Sequence, residues 1–173
     1  MKKELSWTKE VFSRKITIME AGQPVGSMQR DTFSPDVDAS LHGTHLRFDV
    51  TGFLIHDVAI YDLNANNQKI GAITLHFGKR AELRLETGDI YIWKRHNMLM
   101  REWDMIREDN TGTDSQEVIN YSLTRQFFAE SGDIELDNDT PNASIVILAG
   151  LFLRNYFQRR RRMAAGALIA TGA

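Results

Sequence analysis

Cysteine is absent from these 173 residues, which removes disulfides, thiolate metal sites and cysteine nucleophiles and is compatible with a reducing compartment. There is no G-x-S-x-G elbow and no glycine-rich phosphate loop, so acyl-transfer and P-loop chemistry have no footing. The segment Met1 to Glu10 is too polar after its two lysines to hold the roughly 7–15 apolar residues of a signal peptide, and export by that route is not expected. A bilayer core takes about 20 consecutive apolar residues. Here the run from Ala143 to Leu153 stops after eleven, at Arg154, and no transmembrane span is expected. Carboxylates are missing from one region: residues 140–173 hold five arginines and no acid, leaving 16 basic against 23 acidic residues in 1–139, a balance of −7 beneath an overall −2. An acidic body repels phosphate polymers over most of its surface, which argues against a nucleic-acid partner.

What remains is an ordinary globular composition, 42% hydrophobic and 25% charged, of a size that one core can serve. Period-two alternation dominates the first 136 residues. Arg14 to Ile18 and Val25 to Met28 flank a turn-rich stretch and read as an opening hairpin. His45 to Val50 places Leu46, Phe48 and Val50 on one face, and Ala81, Leu83 and Leu85 alternate in the same way with Glu82, Arg84 and Glu86. Phe53 to Leu63 and Lys69 to Phe77 are separated by Asn64-Ala65-Asn66-Asn67-Gln68, a run of turn formers. Ile90 to Arg95, Met98 to Arg107, Val118 to Tyr121, Leu123 to Phe128 and Ile134 to Leu136 complete a series of short strands. Such a series predicts a sandwich or a barrel.

The period then changes. Asp139-Thr140-Pro141 is a helix-start signal, and Ala143 to Leu153 is apolar on every side except Ser144. A helix without a polar face must be surrounded, by lipid or by protein, and its shortness favours protein. Eleven residues make a rod of about 16 Å, which fits inside a barrel. Arg159 to Arg162 mark its exit to solvent.

The order of Pro24-Val25-Gly26-Ser27-Met28, Lys69-Ile70-Gly71-Ala72-Ile73, Gly88-Asp89-Ile90-Tyr91-Ile92-Trp93, Trp103-Asp104-Met105 and the hydrophobic helix resembles the tubby C-terminal-domain-like barrels, which include LURP-one-related proteins and phospholipid scramblases. The resemblance covers residues 14–158. It implies a mainly β fold, a closed antiparallel barrel of about 12 strands threaded by a central C-terminal hydrophobic α-helix. The expected organisation is therefore an N-terminal extension (1–13), the barrel (14–162) with its helix at about 141–158, and a flexible tail (163–173).

The chemistry-bearing residues are few. His42-Gly43-Thr44-His45 has metal-like spacing, but Gly43 disfavours the helix that would put both rings on one face, and it reads as a surface loop. His56, His76 and His96 are scattered. Glu130, Asp133, Glu135, Asp137 and Asp139 precede the helix and read as complements of its N-terminal dipole or as a solvated edge; similarity to scramblases implies a calcium-associated alternative. Trp93, Trp103, Phe127, Phe128, Phe152 and Phe157 read as core. Candidates for an anionic ligand are Arg159, Arg160, Arg161 and Arg162, with Lys79-Arg80 and Lys94-Arg95 as a second basic spot at one barrel end. The expectation is a cytoplasmic, non-enzymatic binding or scaffold domain without metal or cofactor, meeting a protein or lipid partner through barrel-end loops. The alternative is a peripheral, scramblase-like phospholipid-binding protein that uses the C-terminal helix and arginine run.

Overall fold

The computed structural model describes residues 2–10, 13–52, 57–76, 80–97, 99, 101–108, 115–125 and 129–170. Thirteen strands follow one another: β1 (Lys2–Glu10), β2 (Lys15–Glu20), β3 (Gln23–Arg30), β4 (Val37–Leu41), β5 (Thr44–Thr51), β6 (Asp57–Asp62), β7 (Gln68–His76), β8 (Arg80–Leu85), β9 (Ile90–Arg95), β10 (Glu102–Glu108), β11 (Ser115–Ser122), β12 (Thr124–Arg125) and β13 (Ala129–Asp137). The helix α1 spans Ala143–Ala170. Each strand from β1 to β10 pairs antiparallel with the next, β11 and the two-residue β12 both pair with β13, and β13 pairs with β1. With β11 and β12 taken as one interrupted strand, twelve strands close into a barrel.

Alternation produces the barrel interior. Leu46, Phe48 and Val50 of β5 and Ala81, Leu83 and Leu85 of β8 are buried, as their period requires. The β4–β5 hairpin turns through His42 and Gly43 at φ 48° and 81°, the paired left-handed conformation that matches strand twist and that glycine adopts without strain.

Every residue of α1 from Val146 to Arg154 is buried. Its neighbours come from around the barrel: Phe48 of β5 stacks on Phe152 at 4.6 Å, Trp93 of β9 on Phe157 at 4.9 Å, and the Tyr121 hydroxyl of β11 reaches the carbonyls of Val146 (3.2 Å) and Ile147 (3.1 Å). From β1 and β10, Trp7 and Trp103 face the Arg154 guanidinium at 5.0 and 5.6 Å. The helix is thus the centre of the core, and the apolar run ends at Arg154 without leaving the barrel.

Three boundaries differ from the sequence reading. Residues 1–13, expected as an extension, contain β1, whose Lys2–Glu10 register runs against Asp137–Ala129 and closes the barrel. Two inward side chains, Leu5 and Trp7, give this polar segment its apolar face. The helix starts at Ala143, after Asn142 in a left-handed conformation (φ 54°), so Pro141 precedes its first turn. It then continues to Ala170, where a flexible tail was expected from 163: the internal turns supply the nucleus, and arginine, methionine and alanine propagate it. Of the expected strand residues, Phe53 to His56, Phe77, Met98, Met100 and Gln126 to Phe128 lie outside the described residues.

Candidate anion-binding pocket at the helix exit

At the end of the barrel where α1 emerges, the inward-facing alternation passes from apolar to cationic. The face holding Leu5 and Trp7 continues to Lys9, that of Ile16 and Ile18 runs back to Arg14, and that of Met28 runs on to Arg30. Long cationic side chains suit a barrel mouth, because their stems pack on the core while their heads reach water. Helix residues meet them there, with Lys9 Nζ donating to Asn155 Oδ1 at 3.1 Å.

Between the helix and strands β1 to β4 lies a cavity of about 230 Å³. Its walls include Ile16, Met28 and Val37 from the barrel and Phe152 and Tyr156 from the helix. Among the described residues its charged lining consists of Lys9, Arg14, Arg30, Arg159 and Arg162, with no carboxylate and no imidazole. Ser13, Asn155 and Gln158 add neutral polar groups.

One acid lies close by, and it is already engaged. Glu130, buried on the inward face of β13, accepts from Arg154 Nη1 (2.8 Å), Gln158 Nε2 (2.9 Å) and, more distantly, Arg162 Nη2 (3.5 Å). Burial pushes its pKa up, but the hydrogen bond and charge of Arg154, the Gln158 hydrogen bond and the charge of Lys9 together hold it below the ordinary carboxylate value. Among the described residues, Arg14, Arg30 and Arg159 have no ion-pair partner. Burial lowers the pKa of Lys9, and the charges of Arg154, Arg162 and Arg30 lower it further against the opposing pull of Glu130. Burial, then the charge of Arg30, likewise lowers that of Arg159. The cations at this mouth are therefore crowded, with less counter-charge than their number calls for.

Of the sequence-predicted ligand residues, Arg159 and Arg162 line the cavity. Arg160 lies over the Tyr156 ring at 5.9 Å and Arg161 is on the exposed helix surface beyond the barrel. Arg80 is ion-paired with Glu108 at 3.1 Å, and neither it nor Lys94 nor Arg95 belongs to the lining. Lys79 lies outside the described residues. Lys9, Arg14 and Arg30 were not singled out from the sequence, although the parity of their strands carries them inward.

The histidines and acids are dispersed. His42 Nε2 pairs with Glu20 at 2.8 Å, and His45 Nδ1 lies 3.1 Å from the carbonyl of Gly43, so the two rings serve separate partners. His96 pairs with the buried Asp104, whose other oxygen accepts from Asn120 at 2.8 Å. His56 lies outside the described residues. No group of three or more metal-ligating side chains occurs among the described residues. The acidic segment does not act as a unit: Glu130 is internal at the helix-exit end, Asp133, Glu135 and Asp139 are exposed, and α1 has no acid in its first turn. Exposure agrees with the solvated-edge alternative for those three, Asp137 accepts from Gln116 Nε2 at 3.1 Å, and Glu130 alone departs from both alternatives as a structural ion pair. Among the described residues no helix is long and apolar enough to cross a membrane.

No match to this chain is found among protein families, curated proteins or solved structures, and what the structure itself establishes is a closed twelve-strand antiparallel barrel with a single C-terminal helix in its centre.

Proposed function

We propose that this chain is a non-enzymatic binding domain of the tubby-like barrel type, and that its ligand site is the cavity at the helix exit. One observation carries this reading: barrel strands and central helix together enclose an open cavity lined, among the described residues, by five cationic side chains and no carboxylate, and of the five only Arg162 has an ion-pair partner, Glu130 at 3.5 Å. A lining rich in donors, which among the described residues holds no imidazole and no carboxylate, suits holding an anion. The reading places the protein in the cytoplasm, in keeping with its lack of cysteine. Titration with a fragment library, followed by backbone amide NMR, tests it. Shifts should cluster on β2, β3 and residues 152–162 of the helix, whereas a cluster on the outer barrel wall would refute it.

A second reading, a peripheral phospholipid-binding protein, is favoured by the stretch of α1 beyond the barrel, where Arg160, Arg161 and Met163 are exposed. Basic residues beside apolar ones suit an anionic lipid surface. Liposome flotation of the full chain carrying Arg160→Glu, Arg161→Glu and Met163→Ser separates the two. Loss of flotation with an unchanged pocket supports the second reading, and unchanged flotation removes it.

A further inference from the structure

The cavity at the helix exit also constrains what it can hold. Resting on the binding-domain reading above, we propose that its ligand is a compact phosphate compound carrying two or more negative charges, gripped by Lys9, Arg14, Arg30, Arg159 and Arg162.

Charge is the first reason. Five cations line the cavity, and the nearby Glu130 is shared among Arg154, Gln158 and, at 3.5 Å, Arg162, so a single monovalent anion would leave a surplus of positive charge. Each further negative charge on the ligand relieves repulsion among groups that the fold holds together. The lowered pKa values of Lys9 and Arg159 reflect burial and that same crowding.

Size is the second. At about 230 Å³ the cavity is smaller than the roughly 300–1,000 Å³ that encloses drug-sized molecules, so the bound part must be compact. Direction is the third. Lys9 comes from β1, Arg14 from the turn before β2, Arg30 from the end of β3, and Arg159 and Arg162 from successive turns of the helix. Donors arriving from several directions suit the tetrahedral array of phosphate oxygens better than the single plane of a carboxylate, and arginine forks engage two such oxygens at once. The apolar walls formed by Ile16, Met28, Val37 and Phe152 keep water away from one side of the rim, which strengthens these contacts.

Phosphate groups reach such a site either free in solution or on a lipid head group, and the test separates the sources. Calorimetric titration at constant ionic strength compares inorganic tripolyphosphate, pyrophosphate, orthophosphate, citrate and acetate. Affinity should rise with the number of phosphate charges, and citrate should bind more weakly than tripolyphosphate. Arg30→Gln and Arg159→Gln should each weaken tripolyphosphate at least about tenfold, the effect of losing a charge-assisted contact. Arg84→Gln, on the outer wall where Arg84 pairs with Glu82, should leave it unchanged. Thermal midpoints at or above that of the wild type show that the two pocket variants remain folded. A vesicle arm uses phosphatidylcholine with and without phosphatidic acid. Flotation that requires phosphatidic acid and is competed by tripolyphosphate identifies a head group, and solution binding without flotation identifies a free ligand. Tripolyphosphate no tighter than acetate or citrate, or binding that survives both pocket substitutions, overturns the proposal. If neutral fragments shift mouth residues while polyphosphate does not, the ligand class fails and the pocket reading stands. If nothing perturbs the mouth, both fail.

Discussion

Gly150→Ala sets two opposed effects against each other at the point where the helix passes closest to the barrel wall. On an exposed helix this change would add about 1 kcal/mol of stability through helix propensity alone. Inside this barrel the new methyl would lie 2.5 Å from Tyr121 Cζ and 2.9 Å from Cε2, and closer still to the hydroxyl. Tyr121 has no room to retreat. It is fully buried, its ring is stacked on Trp103 at 5.1 Å, and its hydroxyl is committed to the carbonyls of Val146 and Ile147. Overpacking of this kind costs about 1–3 kcal/mol, and the displaced hydroxyl contact costs about 1 kcal/mol more. Set against the propensity gain, the net loss is about 1–3 kcal/mol. That corresponds to a melting point lower by roughly 2–4 °C per kcal/mol for a chain of this size. Urea unfolding followed by tryptophan fluorescence measures it, with Tyr121→Phe as the partner in a double-mutant cycle. The two substitutions should couple, because the hydroxyl lost in one is the obstacle in the other. A variant stabilised by the full propensity gain, with additive effects, would refute the packing described.

Deleting residues 1–10 should prevent folding, because β1 closes the barrel along the whole of β13; a monomeric deletion product with wild-type circular dichroism would contradict this. Arg154→Ala should destabilise by about 3–5 kcal/mol in chemical denaturation by leaving the Glu130 carboxylate buried without its main partner. The same pair predicts an acid limb. The folded-state pKa of Glu130 is below its ordinary value of 4.5, so its contribution is complete above that value and fades as pH falls through the lowered one. Stability measured against pH should show a shallower acid limb in Glu130→Gln than in the wild type.

The parts legible in the sequence are those where a strand has three or more apolar residues at alternate positions. Leu46-Phe48-Val50 and Ala81-Leu83-Leu85 announce their burial, and a helix apolar on all sides announces that something surrounds it. Lys2–Glu10 gives almost no such signal, because a strand at the seam of a barrel needs only Leu5 and Trp7 to face inward. The short β4, Val37–Leu41, gives a weak signal although Val37, Ala39 and Leu41 alternate, because it has only five residues and the middle inward one is an alanine. Arg154 ends the apolar run in the sequence, and a guanidinium is costly to bury without partners. It is retained inside by Glu130 and by two indole faces, none of which is its neighbour in sequence. The pocket was half visible in the run at 159–162. The rest, Lys9 of β1, Arg14 before β2 and Arg30 of β3, is scattered along the chain and converges only once the barrel has closed.

Native-state hydrogen exchange of the amides from Val146 to Phe157 tests most directly whether barrel and helix form one cooperative body. If the barrel encloses the helix, these amides exchange only through global unfolding, with the same protection free energy as the inward strands β5 and β9. Exchange of the helix through a cheaper opening that leaves the strands protected would mean that it lies against the barrel instead of within it, and the pocket at its exit would lose its inner wall.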